Sequence, residues 1–204
     1  MAPLNGGPRR LRLRRDHSPH GDPGDARGLR TGGTGRARAR RKAQLTKELI
    51  EEIIDVAKYA PSWKNTQSVR YVAVTDKELK DKIASDCVMD FEFNRNIINA
   101  APCLMVLTTV NKRSGYERDG SFSTSKGEHW QSFDAGVAAQ TFCLAAYEKG
   151  LGTVILGVYD GEKVAEVLEI PEEKSVSALI PIGYPAEEPK APKRKDVEEL
   201  LSIR

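Results

Sequence analysis

This sequence carries few of the side chains that usually perform chemistry unaided. Of its 204 residues, three are histidine and three are cysteine. Cys87, Cys103 and Cys143 are odd in number, far apart and set among apolar neighbours. With His17, His20 and His129 they make no paired ligand spacing, so no metal site is expected. The same scatter reads as reduced, mostly buried thiols in a cytoplasmic protein. Neither Ser62 nor any cysteine stands in a nucleophile–base pattern, so no side chain is assigned a catalytic role. No run of about 18 apolar residues exists to cross a membrane, and the first residues lack the apolar core of a secretory signal.

A second absence divides the chain. Residues 1–42 contain no aromatic residue, no valine and no isoleucine, but eight glycines and four prolines. They hold 12 of the 32 basic residues and 3 of the 29 acidic ones, whereas the remainder carries 20 basic and 26 acidic residues. The net charge of +3 therefore averages a strongly basic segment with an acidic body. Such a segment cannot bury enough apolar surface to offset the entropy of ordering it. It is expected to be a disordered basic tail, with residues 43–204 forming one domain. Without aromatic interleaving or a recognisable module, the tail reads as solvated, and nucleic acid is not an expected partner. A tether to nucleic acid is the competing reading of this charge.

Within the body, Thr46 can cap a helix to about Tyr59, with Leu49, Ile50, Ile53, Ile54 and Ala57 on its buried face. Residues 69–74 read as a strand and 77–85 and 90–99 as helices. Cys103–Val110 reads as a strand buried on both faces. A polar loop over 111–132 is long enough to suggest an active-site cover. A small-residue helix follows from Asp134 to Lys149, rich enough in apolar residues to be buried in the core or at a subunit interface. An apolar run at 153–156, a helix at 160–168 and a strand at 176–184 come next. A terminal helix after Asp196 completes the order. The elements do not alternate cleanly, which favours an α+β architecture over a doubly wound one.

Ala60-Pro61-Ser62-Trp63-Lys64-Asn65-Thr66-Gln67 is the densest polar stretch between two regular elements. Pro61 stops the helix, while Ser62, Asn65 and Gln67 offer short hydrogen-bonding groups and Lys64 a positive charge. Read locally, these are also ordinary residues for a helix C-terminus and turn.

Four segments in order resemble the FMN-dependent nitroreductase family, over roughly three quarters of the chain. They are Pro61–Gln67, Phe133–Gln140 with Lys149–Thr153, Val154–Gly157, and Pro181–Pro185 followed by Pro192–Lys195. The resemblance implies a three-layer fold whose mixed, mostly antiparallel sheet is flanked by helices, in a homodimer with the flavin at the interface. It implies FMN as cofactor and NADH or NADPH as electron donor. Hydride would pass through flavin N5 to a nitroaromatic, quinone or similar electron-poor acceptor by a ping-pong mechanism. A flavin carrier or sensor with little turnover is the alternative.

The resemblance assigns flavin contacts to Pro61, Ser62, Lys64, Asn65 and Gln67, and backbone approach to the ring to Leu156 and Gly157. Lys193 and Arg194 would meet the phosphate, where charge-assisted bonds are strong, although they read equally as solvated tail charges. Lys195 could replace either. Asn94 and Asn96 lie where the family often has polar flavin contacts, and Trp63 and Phe122 could line the ring face. One departure stands out. The family's Arg-Arg-Ser-x-Arg phosphate arm is matched only in charge by residues 35–42, in which Arg38 or Arg40 could substitute. Residues 1–42 are therefore expected not to be the family's native N-terminus.

Overall fold

The computed structural model of the protein describes residues 45–187 and 189–204. The expectations for the basic tail and for the arginines of residues 35–42 lie outside the described residues. Thr46 begins helix α1 (Lys47–Ala57) as expected, its hydroxyl accepting the Leu49 N–H at 3.3 Å. Asp76 caps α2 (Lys77–Asp86) in the same way, at 2.9 Å from the Leu79 nitrogen. Helix α3 (Glu92–Ala100) follows, then strand β2 (Cys103–Val110), which pairs back onto β1 (Val69–Val74). Helix α4 (His129–Glu148), β3 (Gly152–Thr153), α5 (Gly161–Val167), β4 (Lys174–Gly183) and α6 (Val197–Leu200) complete the order. The sheet order is β1-β2-β4-β3, and each described pairing is antiparallel.

β2 is central, and seven of its eight residues are buried. Alternation sends its side chains into two cores. Cys103, Met105 and Leu107 join α1, α4 and Ala178, Ile180 and Ile182 of β4. Leu104 and Val106 join α2, α3, α5 and Leu179. The result is the expected α+β, three-layer arrangement: helices, sheet, helices. A bulge where Ser177 of β4 loops out flips the strand's facing, so Val176 packs on the second core. Thr109 and Ser177 close this irregularity with a hydroxyl pair at 2.7 Å.

Some boundaries differ from the sequence reading. α4 begins at His129, five residues before the expected start, and shortens the cover loop to residues 111–128. The first turn of α4 lacks helical periodicity in sequence; in the fold its Trp130 packs against Trp63, at 4.4 Å between ring centroids. The expected strand at 153–156 is curtailed to Gly152–Thr153, with Leu156 alone bridging to Leu179. Asp196 precedes α6 without a side-chain cap, and residues 191–204 are exposed throughout. No described helix is long and apolar enough to cross a membrane.

All three cysteines are free and buried, as expected. Burial pushes the Cys103 thiol up to about 11 and the Tyr71 phenol to about 12. Cys87, Cys143 and Tyr159 are raised for the same reason. In the unfolded chain these groups ionise near 9.0 for the thiols and 10.0 for the phenols. The unfolded state then binds fewer protons than the folded one, so stability is full below pH 9 and falls as pH rises toward the folded values. Buried Lys80 acts oppositely, because burial lowers its pKa, but it is one group against five. Urea midpoints are expected to fall progressively above pH 9, and less steeply in Cys103→Ala.

Candidate functional site

The segment after α1 turns into a single 3-10 turn, Trp63–Asn65, before β1 begins. Lys64, Asn65 and Gln67 all have left-handed backbone, with φ of 43°, 55° and 48°. Three such non-glycine residues in four positions cost about 1–3 kcal/mol each unless neighbours enforce them. Part of that enforcement is local. The Ser62 hydroxyl accepts the Gln67 N–H at 2.9 Å, and Arg70 donates to the Gln67 carbonyl at 2.6 Å. Asn65 and Gln67 are exposed, and neither side-chain amide is committed to another described residue. The buried indole N–H of Trp63 also has no acceptor among the described residues.

The remaining enforcement comes from far along the chain. Asp134, buried on α4, accepts the Trp63 backbone N–H with both carboxylate oxygens at 3.0 Å. It also accepts the Ser114 hydroxyl at 2.5 Å. Ser114, buried in the cover loop, lies 2.8 Å from the Thr66 hydroxyl and 3.1 Å from that of Ser68. Lys64 adds a second tie to the cover loop, pairing with Glu117 at 2.6 Å. That ammonium holds the Glu117 carboxyl below its usual range. Lys126 sits 4.4 Å from the ring centres of both Trp130 and Phe133, closing an aromatic cluster beside Trp63.

These geometries sort the expected site residues. Pro61, Ser62, Asn65 and Gln67 stand together in one strained loop, with the two amides spare. Lys64 is in the same loop, but its charge is engaged by Glu117. Leu156 and Gly157 lie elsewhere, across β2 and β4 from the β1 edge. Three strand spacings, about 14 Å, separate that edge from Leu156. A side chain at Gly157 would meet no atom within 4 Å, so packing within this chain does not require glycine there. Lys193 and Arg194 are exposed on the tail that leaves the far end of β4, opposite the loop. Asn94 is buried and donates to the Val158 carbonyl at 2.9 Å, anchoring the Gly157 segment from behind. Phe122 packs on Tyr116 at 5.0 Å, inside the cover loop.

The group that an FMN loop must accommodate has a ring edge of carbonyls and ring nitrogens. Two spare amides and a hydroxyl suit such an edge. The phosphate half is not gathered around this loop by the described residues of one chain. Sequence reasoning missed Asp134 and Ser114. One was absorbed into a small-residue helix and the other into a polar loop, and no local spacing links them.

The chain is similar to known proteins over most of its length. The model of the Nitroreductase family matches residues 37–96 and 88–184. A relative from Archaeoglobus fulgidus, provisionally named an NADH dehydrogenase/NAD(P)H nitroreductase, is 31% identical over 149 residues, covering 71% of this chain and 77% of that one. An FMN reductase [NAD(P)H] of Bacillus subtilis is 30% identical over 152 residues, covering 70% of this chain and 59% of its own. A crystal structure from Exiguobacterium sibiricum, provisionally a nitroreductase and solved with FMN, superposes with a TM-score of 0.72. At 16% identity, covering 83% of this chain and 92% of that one, it shows the shared fold.

The cover loop offers a direct test of the geometry. Gly115 has φ +88°, and a Cβ there would lie 2.1 Å from the Gly127 carbonyl oxygen. Gly115→Ala is expected to destabilise the protein by more than about 2 kcal/mol in urea unfolding, through left-handed strain and displacement of the loop.

Proposed function

Because the chain belongs to the Nitroreductase family, we propose that it is an FMN-dependent oxidoreductase, drawing on NADH or NADPH and reducing electron-poor acceptors such as nitroaromatics or quinones. The observation that carries this reading is the strained Ser62–Gln67 loop, which holds two uncommitted amides in a costly backbone conformation. Bound FMN would supply the redox chemistry, a two-electron relay between the nicotinamide and an acceptor that use the same pocket in turn. The protein's part is to bind, orient and polarise. Ser62, Asn65 and Gln67, shaped by Pro61, would present hydrogen-bonding groups where reduction places negative charge. Lys64 would act through its Glu117 tie, holding the loop to its cover. Backbone at Leu156 and Gly157 would approach the ring, and Lys193 and Arg194 would meet the phosphate.

A homodimer is part of the proposal. The loop and the Gly157 segment lie on opposite edges of one chain's sheet, and a second copy is the means of joining them around one flavin. α4 carries an outward stripe of Phe133, Gly136, Val137, Gln140, Leu144 and Tyr147 at helical spacing. A Cβ at Gly136 would meet nothing within 4 Å, so packing within one chain does not require glycine there. Gly136 instead fits close approach of a partner helix. Three free, buried thiols suit a reducing compartment such as the cytoplasm.

Purified protein is expected to be yellow or to take up FMN, to bleach on addition of NADH or NADPH, and to recover colour with a quinone. A protein that cannot take up FMN overturns the proposal, and slow bleaching without turnover makes it a flavin carrier. Asn65→Ala should weaken FMN binding about tenfold in fluorescence titration, and lower the melting temperature by only a few degrees through the left-handed backbone at residue 65.

A further inference from the structure

We infer that Asp134 and Ser114 are positioning residues that hold the Ser62–Gln67 loop in its strained shape, pre-organised for the flavin and coupled to the cover loop. The inference rests on the proposed reading of that loop as a flavin contact.

A buried carboxylate is costly unless hydrogen bonds compensate its lost hydration. Asp134 is 2% exposed, and among the described residues no lysine, arginine or histidine pairs with it. It does not serve its own helix as a cap, because α4 begins at His129, a turn and a half earlier. Its donors come from residue 63, 71 positions away, and residue 114, 20 positions away. Its compensation therefore comes from the two loops, and both loops take their placement from it.

The hydroxyls have a direction. Ser114 has one proton and gives it to Asp134, so it receives from both Thr66 and Ser68 through its two lone pairs. Each hydrogen bond in this chain points toward the carboxylate, which polarises and strengthens the series. Trp63 and Thr66, two of the residues so fixed, bracket Lys64 and Asn65, both left-handed. With those points released, the loop is free to relax its backbone, and the amides flanking them lose their placement. Asp134 and Ser114 need not touch the flavin to govern its affinity.

The test uses the full-length protein with Asp134→Asn, Asp134→Ala and Ser114→Ala, and Ser177→Ala as a control. Ser177 makes a comparable hydroxyl pair with Thr109 at the sheet bulge. Amide exchange at Trp63, followed without cofactor, should accelerate about tenfold or more in Asp134→Ala, severalfold in Ser114→Ala, and not in the control. Asp134→Asn keeps an acceptor for Trp63 but donates to Ser114, reversing the hydroxyl chain. It should rescue part of the Trp63 protection lost in Asp134→Ala. In FMN titration the same order should appear, with affinity down about tenfold in Asp134→Ala and severalfold in Ser114→Ala.

Should Asp134→Ala fail to fold, Asp134→Asn and Ser114→Ala carry both measurements. Exchange at Trp63 as slow as in the wild type overturns the inference. So does faster exchange with unchanged FMN affinity, or an FMN loss no greater than in Ser177→Ala. A wild-type protein that takes up no FMN overturns the flavin reading instead, and the exchange data still decide whether Asp134 holds the loop.

Discussion

The burial of β2 on both faces is the constraint on which the rest of the structure depends. An antiparallel strand with apolar side chains pointing both ways needs a layer on each side, because no face of it can be left to water. That requirement brings α1 and α4 to one side and α2, α3 and α5 to the other. It also makes β1 and β4 its immediate neighbours. Once α4 is fixed against the sheet, Asp134 near its start is carried to the point where the chain leaves α1 for β1. The candidate site is therefore a consequence of layering.

The same layering explains why the two segments proposed to meet the flavin lie apart in one chain. β1 delivers the polar loop at one edge, and the short β3 leads to the Leu156–Gly157 segment at the other. Filling the space between them is the work of β2 and β4, which are core. A planar cofactor touching both segments needs them on facing surfaces, which a two-fold related copy provides. The outward stripe of α4 is consistent with this, since its Val137, Leu144 and Tyr147 face away from the side that its alanines bury.

Regular elements with strong periodicity were legible in the sequence. α1, with its threonine cap and isoleucine stripe, and β2, an unbroken apolar run, are local statements of hydrophobic pattern. The loop at Pro61–Gln67 was legible as too polar for a connector. Less legible were elements whose state depends on a distant partner. The first turn of α4 reads as loop because it lacks an apolar period, yet it is helical and packs Trp130 on the distant Trp63. The run at 153–156 reads as strand because it is apolar, yet only Gly152 and Thr153 pair regularly with β4, and Leu156 meets it through an isolated bridge.

The sequence by itself determined the layered fold, the position of the polar loop and the family to which the chain belongs. All three rest on order, spacing and periodicity along the chain. Only the tertiary structure decided that Lys64 is engaged by Glu117, that Asn94 is an anchor behind Gly157, and that Asp134 and Ser114, bonded to one another, meet the loop at Trp63 and Thr66. The physical reason is separation. A hydrogen bond between residues 63 and 134 leaves no mark on the composition or period of either segment. It exists because packing brings a buried carboxylate within reach of an amide that would otherwise lack a partner.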